Sequence, residues 1–290
     1  MNYNRYTFLL LATLICTVSF AQKAPFFEKG EDPKPVDAKW KLVKSMSDEF
    51  DGKVINESKW QISGQGWKGR APGLFVPENI KLENGEMLIT TTTLDKPVVI
   101  NGQTFTHGGG YVGSVQGKTY GYYECRMKAN KTFMSSTFWL INDRQELSGC
   151  DKRTTELDIQ ECVGQLNTDK EFAQKLINHM NSNTHSRGIP EGCDYPKATL
   201  GAKAPLNAMA YEDYHVYAVW WKSKDEVLFF LDGKFQSQIK PAADFNIPMH
   251  LRMVVETYDW NPVPADGGMT GSEEDRTTRY DWVRSWELVK

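Results

Sequence analysis

Short runs of alternating apolar and polar residues recur along the chain from residue 39 onward. Alternation with a period of two predicts β-strands that bury one face, and turn signals such as Glu83-Asn84-Gly85 and Asp232-Gly233 separate the runs. The predicted strands are 40–43, 79–82, 86–92, 110–114, 121–129, 135–141, 155–162, 177–185, 215–221, 227–231, 250–257 and 280–288. Segment 168–175 is the best short helical candidate. Without a repeat or a linker after residue 38, this pattern predicts an all-β fold, a single β-sandwich of two antiparallel sheets.

The N-terminus has a different composition. Residues 1–21 combine Arg5, an apolar run over 8–20, and the small residues Ser19 and Ala21, a pattern typical of a cleaved secretory signal peptide. The apolar run is too short to span a membrane comfortably. Residues 22–38, rich in proline and charge, predict an exposed lead-in to a single domain over 39–290. We therefore expect a secreted or periplasmic protein without a membrane span.

Four cysteines remain once Cys16 is removed with the signal peptide. Cys125 and Cys162 lie in strand-like runs and are expected to be buried thiols. Cys150 and Cys193 lie in loop-like stretches, and in an oxidising compartment they are expected to form a disulfide. The sequence has neither a CxxC nor an HxxxH pair, so its local spacing predicts no metal site.

The net charge and the aromatic content indicate which kinds of molecule the protein binds. The net charge is −3 and the basic residues are scattered, which argues against nucleic acid as the main partner. Aromatic residues make up 12% of the chain, with nine tryptophans, and their flat faces suit sugar rings as well as a sandwich core. We expect a monomer, and the aromatic faces are compatible with a polysaccharide substrate.

The segment 154–161, Thr-Thr-Glu-Leu-Asp-Ile-Gln-Glu, places three acids in a strand that otherwise looks buried. In a regular strand Glu156 and Asp158 share one face, and Glu161 points to the other. A β-bulge between Asp158 and Glu161 would turn Glu161 back to the face of Glu156, and bulges are frequent beside active sites. The alternative is an edge strand whose acids are solvated.

Two carboxylates that face one cleft are the machinery of glycoside hydrolysis, in which one attacks or stabilises the sugar carbon and the other protonates the leaving oxygen. A separation of about 5 to 5.5 Å corresponds to retention of anomeric configuration. Asp158, between them, is expected to hydrogen-bond Glu156 and to help raise the pKa of the acid by charge repulsion.

Residues near this strand are candidates for the cleft. His185 ends a polar stripe that starts with His179, Asn181 and Asn183, and it is expected to bond Glu161 or a sugar hydroxyl. Trp139 is a candidate for the cleft floor, although either Trp139 or its neighbour Phe138 must face the core.

Two further segments supply candidate cleft walls. Trp67 stands in a loop-like segment and is a candidate sugar platform, with Arg70 as its polar or anionic-group contact. Its alternative role is to pin the loop to the sandwich. Glu256 and Trp260 lie in an aromatic and acidic stretch at a strand end and are expected to form another wall.

These residues resemble glycoside hydrolase family 16. The segment 156–161 matches the family motif E-x-D-x-x-E in its bulged form, and the resemblance marks Glu156 as nucleophile and Glu161 as acid/base. Segments 47–50, 120–124 and 280–288 extend it. The resemblance implies a jelly-roll sandwich with a concave substrate groove and retaining, endo-acting cleavage. It implies no required cofactor and in some members a structural calcium ion on the convex side, for which the sequence shows no local pattern.

Within the family, segments 66–75, 134–140, 161–164 and 255–262 resemble the β-agarases and β-porphyranases, which act on red-algal galactans. A β-agarase that cleaves the β-1,4 galactosidic bonds of agar is the first expectation. A β-porphyranase requires a sulfate pocket, for which the basic candidates are Lys68, Arg70, Arg144, Lys152 and Arg153, and Arg153 is also expected to bind substrate. A laminarinase-like β-glucanase and a non-catalytic carbohydrate-binding sandwich are the remaining alternatives.

Overall fold

The computed structural model describes residues 22–64, 66–145 and 147–290, so the predicted signal peptide over 1–21 lies outside the described residues. Within these ranges the strands are β1 (Lys39–Leu42), β2 (Trp60–Gln61), β3 (Gly73–Phe75), β4 (Ile80–Glu83), β5 (Glu86–Thr90), β6 (Thr92–Ile100), β7 (Gln103–Lys118), β8 (Gly121–Lys128), β9 (Ser135–Asn142), β10 (Thr154–Val163), β11 (His179–Arg187), β12 (Ala198–Pro205), β13 (His215–Ser223), β14 (Glu226–Leu231), β15 (Lys234–Ile239), β16 (Met249–Val255) and β17 (Thr277–Val289). Short 3-10 helices cover Lys44–Met46, Pro77–Asn79, Gly149–Lys152 and Glu171–Ala173.

The strands form two stacked sheets. One, which we call the cleft sheet, has the order β12-β11-β10-β9-β16-β7-β2, with β3 and β6 also pairing with β7. The other, the outer sheet, has the order β15-β14-β13-β8-β17-β5-β4, with β1 on β17. Neighbours in both strand orders are antiparallel, and β3 pairs with β7 in parallel. This is the jelly-roll sandwich that the sequence predicts.

Every predicted strand overlaps an observed one, and the strands that the sequence analysis did not predict are β2, β3, β6, β12 and β15. These are short, or they lie at a sheet edge, or, like β6 with its internal Asp-Lys-Pro, they lack regular alternation. The helical candidate over 168–175 shortens to a single 3-10 turn, Glu171–Ala173. Local alternation identifies strands that bury one face, and it is weak where a strand has few packed neighbours.

The core lies between the sheets, and the alternation of β9 and β10 separates it from the cleft. Phe138 and Leu140 of β9 and Leu157 of β10 are completely buried. Trp139 and Ile141, which alternate with these residues on β9, point away from the core and keep partial exposure. The polar face of the cleft sheet is therefore available for a site.

The segment over 22–38 is mostly exposed, but it is attached to the outer sheet. Phe27 packs on Tyr122 of β8, with ring centroids 4.9 Å apart. The backbone N–H of Phe26 donates to the buried Glu124 carboxylate at 2.8 Å. The segment therefore packs as part of the β-sandwich.

The cysteine predictions are confirmed. Cys150 and Cys193 form a disulfide with Cα atoms 5.6 Å apart, and Cys125 and Cys162 are free and buried. The disulfide ties the turn before β10 to the loop after β11, so it restrains the open end of the β10–β11 hairpin, which carries the acids. Among the described residues no helix is long and apolar enough to cross a membrane.

Candidate active site

A β-bulge in β10 aligns the three acids. Asp158 pairs with Trp139 of β9, while Gln160 pairs with the residue directly before Trp139, so Ile159 is the extra residue in the ladder. The register shift falls between Asp158 and Gln160, where the sequence predicted it. Glu161 therefore faces the same side of the sheet as Asp158, because the additional residue reverses the alternation.

The three acids share a cavity of about 250 Å³ on the polar face of the cleft sheet. Of the residues predicted for the site, it is lined by Trp67, Arg70, Trp139, Glu156, Asp158, Glu161 and Glu256. The lining is completed by residues that the sequence analysis did not assign to the site, namely Thr137, Ile141, Arg187 and Tyr258.

Glu156 is held by a charged partner. Arg187, at the end of β11, donates from Nη1 to Oε1 at 3.0 Å and from Nη2 to Oε2 at 2.5 Å. Burial lowers the pKa of Arg187, but the hydrogen bond and charge of Glu156 outweigh it and leave the pKa above its ordinary value. This is a bidentate guanidinium–carboxylate pair, the geometry that favours an ionised carboxylate.

Asp158 pairs with His185, whose Nε2 lies 2.8 Å from Oδ2, and Thr199 Oγ1 lies 2.8 Å from Nδ1 on the other side of the ring. Of the two partners expected for His185, Glu161 is therefore replaced by Asp158, and a contact with a sugar hydroxyl stays a prediction. Arg187 takes the position on Glu156 that we expected for Asp158. Burial, and then the charge of Glu156, raise the pKa of Asp158, while burial lowers the pKa of His185. The imidazole is neutral at pH 7 and orients Asp158 by hydrogen bonding.

Glu161 has neutral partners. Asn183 donates to Oε2 at 2.9 Å and the Tyr258 hydroxyl donates to Oε1 at 2.9 Å. Burial, followed by the charge of Asp158, raises the pKa of Glu161 to about 8, although the Tyr258 hydrogen bond acts in the opposite direction. Glu161 is therefore protonated at neutral pH and can donate a proton.

A second ion pair lies on the far wall of the cavity. Arg70 Nε is 3.3 Å from Glu256 Oε2, and the guanidinium lies 5.2 Å from the centre of the Tyr258 ring. Burial raises the pKa of Glu256 to about 7, against the lowering effect of Arg70. The Arg70 side chain remains 41% exposed, so it can reach a ligand as well as Glu256.

Aromatic rings border both walls. Trp67 packs edge-on against Phe75 at 4.7 Å and against Trp139 at 6.4 Å, so it lies beside the cavity and also holds its own loop on the sheet. The structure thus shows the loop-pinning role of Trp67, and its role as a sugar platform stays a prediction. Trp260 stacks on Tyr258 at 4.9 Å with a 20° interplanar angle, and it supports the wall from outside the cavity lining.

Arg153 does not contact the cleft. Its side chain is fully buried, and it donates to the Cys150 carbonyl, to Asp151, to the Asp244 carbonyl and to Asn246. The prediction that it binds substrate is wrong. Its position directly before the acidic strand suggested the groove, but the guanidinium turns inward and joins loops on the side of the disulfide.

Arg187 and Tyr258 are the functional candidates that sequence reasoning missed. Arg187 continues the alternation of the polar stripe from His185 by two residues, so extending that stripe would have found it. Tyr258 lies in the predicted aromatic wall, but its hydroxyl contact with Glu161 joins segments 97 residues apart. A contact between residues so far apart in the sequence cannot be predicted from a local sequence pattern.

Among the described residues, the group of three acids or histidines close enough to share a metal ion is Glu156, Asp158 and His185. Arg187 already neutralises Glu156, which makes this group a poor fit for a cation. It also lies in the cleft, whereas the family resemblance implies calcium on the convex side. The calcium ion stays a prediction.

The comparisons with known proteins agree with this geometry. Residues 40–288 match the family described as Beta-porphyranase A-D, GH16 domain. The chain is 67% identical to Beta-porphyranase B of Zobellia galactanivorans over 283 residues, which is 97% of each chain. The crystal structure of porphyranase B from that organism superposes with a TM-score of 0.91 at 68% identity, covering 92% of this chain and 100% of that one.

A β-porphyranase of the human gut bacterium Bacteroides plebeius is similar at lower identity. Its crystal structure has a TM-score of 0.77 and 34% identity, and the match covers 89% of this chain and 95% of that chain. The family match covers most of the described domain, and it includes the bulged acidic strand and both cavity walls. The chain belongs to the β-porphyranase A–D family of GH16 domains and is a glycoside hydrolase.

Proposed function

We propose that this protein is a secreted, endo-acting β-porphyranase that hydrolyses the sulfated galactan of red algae with retention of anomeric configuration. The observation that most directly supports this reaction is the contrast between two carboxyls in one cavity. Glu156 is bound by a guanidinium, and Glu161 is bound by two neutral donors. A retaining glycosidase needs one ionised and one protonated carboxyl.

In this mechanism Glu156 attacks the anomeric carbon and forms a glycosyl ester, while Glu161 gives its proton to the departing glycosidic oxygen. Glu161, now ionised, takes a proton from water, and the resulting nucleophile attacks the same carbon and releases Glu156. Asp158, oriented by His185, lies between the two and keeps the acid's pKa high by its charge. The enzyme returns to its starting protonation state after each cleavage.

The choice of porphyran over agar rests on similarity and on Arg70. The relatives described above are named β-porphyranases, which reverses the order of preference drawn from the sequence. Arg70 lines the cavity beside Trp67, and one carboxylate, Glu256, occupies only part of its donor fork. The remaining donors suit the oxygens of a sulfate ester, and the Trp67 ring offers an apolar surface for the sugar. Agar is the second candidate substrate.

Secretion is supported by the disulfide, because such bonds persist in oxidising compartments. The signal-like composition of residues 1–21 is the other support.

The experiment is to incubate the protein, lacking residues 1–21, with porphyran, agarose and laminarin at equal sugar concentration and to size the products. We expect oligosaccharides of several lengths from porphyran early in the reaction, little release from agarose and none from laminarin. The Glu156→Gln variant, which keeps the shape of the side chain, is the control for contaminating enzymes. Faster release from agarose would make the protein an agarase, and inertness on all three would favour the carbohydrate-binding alternative.

A further inference from the structure

Arg252 of β16 is a buried cation that lacks a carboxylate partner among the described residues. It is one of three buried arginines in this part of the chain, and its exposed fraction is 7%. Arg284 forms a two-point pair with Glu49, and Arg153 donates to four acceptors. Arg252 donates from Nη1 to the backbone carbonyl of Leu251 at 3.3 Å, and the described ranges offer it no other acceptor. Buried charges in proteins are normally paired, so this guanidinium needs an explanation.

The strand register places Arg252 on the floor of the groove. It pairs with Trp139 of β9, which in turn pairs with Asp158 of β10. Residues directly opposite each other in neighbouring strands share one face of the sheet, so Arg252 faces the same side as Trp139, which lines the cavity. Neighbouring strands lie about 4.8 Å apart, so the backbone of Arg252 is about 10 Å, or roughly two sugar rings, from that of Asp158.

The guanidinium lies between an aromatic surface and a glycine. Its Cζ is 5.2 Å from the centre of the Tyr111 ring, and Tyr111 packs edge-on against Trp67 at 6.1 Å. On β7 it lies against Gly113, where a Cβ atom would be 2.5 Å from Nη1 of Arg252. A side chain at position 113 would therefore collide with the guanidinium, and the glycine keeps that space open for it.

Arg252 keeps its charge and its access to solvent. Burial lowers its pKa, while Tyr111 and Asp143 act in the opposite direction, and an arginine in a protein stays protonated. The Nε and Nη2 atoms have no acceptor among the described residues, yet neither is sealed from solvent. An anion in the groove can therefore reach these donors.

We propose that Arg252 binds a sulfate ester of the galactan chain, in a subsite beyond Trp139, and so favours a sulfated substrate over a neutral one. This inference rests on the proposed function, because it names a second anion contact for the same substrate. Arg70 lies at the Glu256 wall of the cavity, whereas Arg252 lies further along the groove floor. A guanidinium with unoccupied donors suits the oxygens of a sulfate ester, and the aromatic rings beside it suit the sugar.

The test measures binding of oligosaccharides to the catalytically inactive Glu156→Gln protein by titration calorimetry. The two ligands are a sulfated oligosaccharide from porphyran and a neutral one of equal length from agarose. Adding Arg252→Gln is expected to weaken binding of the sulfated ligand by about tenfold to a hundredfold, the range for a hydrogen bond to a charged group. Binding of the neutral ligand should stay nearly the same. Arg252→Lys keeps the charge without the fork, so its loss should be smaller.

Arg126→Gln is the matched control on the outer sheet. Arg126 also lies over a tyrosine ring, with its Cζ 4.3 Å from the centre of Tyr214. This variant should bind both ligands as the parent protein does. Equal losses for both ligands in Arg252→Gln overturn the proposal, since a purely structural role of the guanidinium would affect both. Unchanged affinity for the sulfated ligand overturns it as well.

A crystal structure of the Glu156→Gln protein with the sulfated oligosaccharide tests the proposal even if Arg252→Gln does not fold. We expect a sulfate oxygen within hydrogen-bond distance of Arg252, and a complex whose sulfates all lie elsewhere overturns the proposal. If the natural protein does not cleave porphyran but Arg252 still binds the sulfate, the proposed function fails and this inference stands. If porphyran is cleaved and both ligands respond equally to Arg252→Gln, this inference alone fails.

Discussion

The two ends of the acidic motif lie on one strand, yet their environments differ in charge. Glu156 meets a guanidinium at the end of β11, whereas Glu161 meets the amide of Asn183 and the hydroxyl of Tyr258. Burial, and then the charge of Asp158, raise the pKa of Glu161 to about 8, and the hydrogen bond from Tyr258 compensates this only in part. A charged partner has the opposite effect on its neighbour, as it favours the ionised form.

The comparison shows that the motif supplies two chemically similar side chains and that other elements distinguish them. β11 contributes to both ends, with Arg187 beside Glu156 and Asn183 beside Glu161. Two positions separated by four residues on this strand therefore present a cation at one end and an amide at the other. The proposed division into nucleophile and acid depends on this arrangement.

The largest effect is expected at the Glu156 end. Glu156→Ala removes the nucleophile, and kcat on porphyran should fall by at least about 10³-fold, while thermal unfolding changes little. The measurement is the initial rate of reducing-end release. Substantial turnover by a well-folded variant would show that Glu156 is not the nucleophile. The contrast between the environments of Glu156 and Glu161 would then not explain catalysis.

At the Glu161 end, the loss of activity on substitution should depend on the leaving group of the substrate. Glu161→Ala is expected to lower the rate on porphyran by about 10² to 10⁴-fold, the usual contribution of general acid catalysis. An aryl galactoside with a good leaving group needs no proton, so its first step should be much less affected. Equal losses on both substrates would contradict the assignment of Glu161 as the acid.

Tyr258→Phe should produce a smaller, pH-dependent effect. The Tyr258 hydroxyl lowers the pKa of Glu161, so its removal raises that pKa above about 8. Glu161 then stays protonated to higher pH, and the alkaline limb of kcat/KM should move upward by about one unit, since a hydrogen bond to a charged group contributes about 1.5 kcal/mol. The acid limb is the internal control. A downward shift of the alkaline limb would show that the Tyr258 hydroxyl does not lower the pKa of Glu161.

The smallest kinetic effect is expected from Arg153→Met, which changes neither end of the motif. The variant leaves the Asp244 carbonyl and Asn246 without their donor, and it should lower the free energy of unfolding by about 2 to 4 kcal/mol. At temperatures where it is folded, kcat and KM should match those of the natural protein. An increase in KM for porphyran would return Arg153 to the substrate-binding residues.

Much of the site could be predicted because its parts are local. Acids flanking Leu157 and Ile159 in a strand indicated both the bulge and the shared face, and loop-like positions indicated the Cys150–Cys193 pair. Arg153 shows the limit of this reasoning. Adjacency in sequence placed it near the groove, but the direction of its side chain depends on loops more than 90 residues away.

The sequence by itself determined the alternating strands, the set of acids and the bulge that aligns them, because each depends on residues close together in the chain. It suggested the Cys150–Cys193 disulfide, but only the tertiary structure, which brings together residues 43 positions apart, decided that pairing. Only the tertiary structure decided which acid is ionised. The protonation of a carboxyl depends on burial and on charges within a few ångströms. For Glu156 and Glu161 those neighbours come from β11 and from the segment after β16, 22 to 97 residues further along the chain.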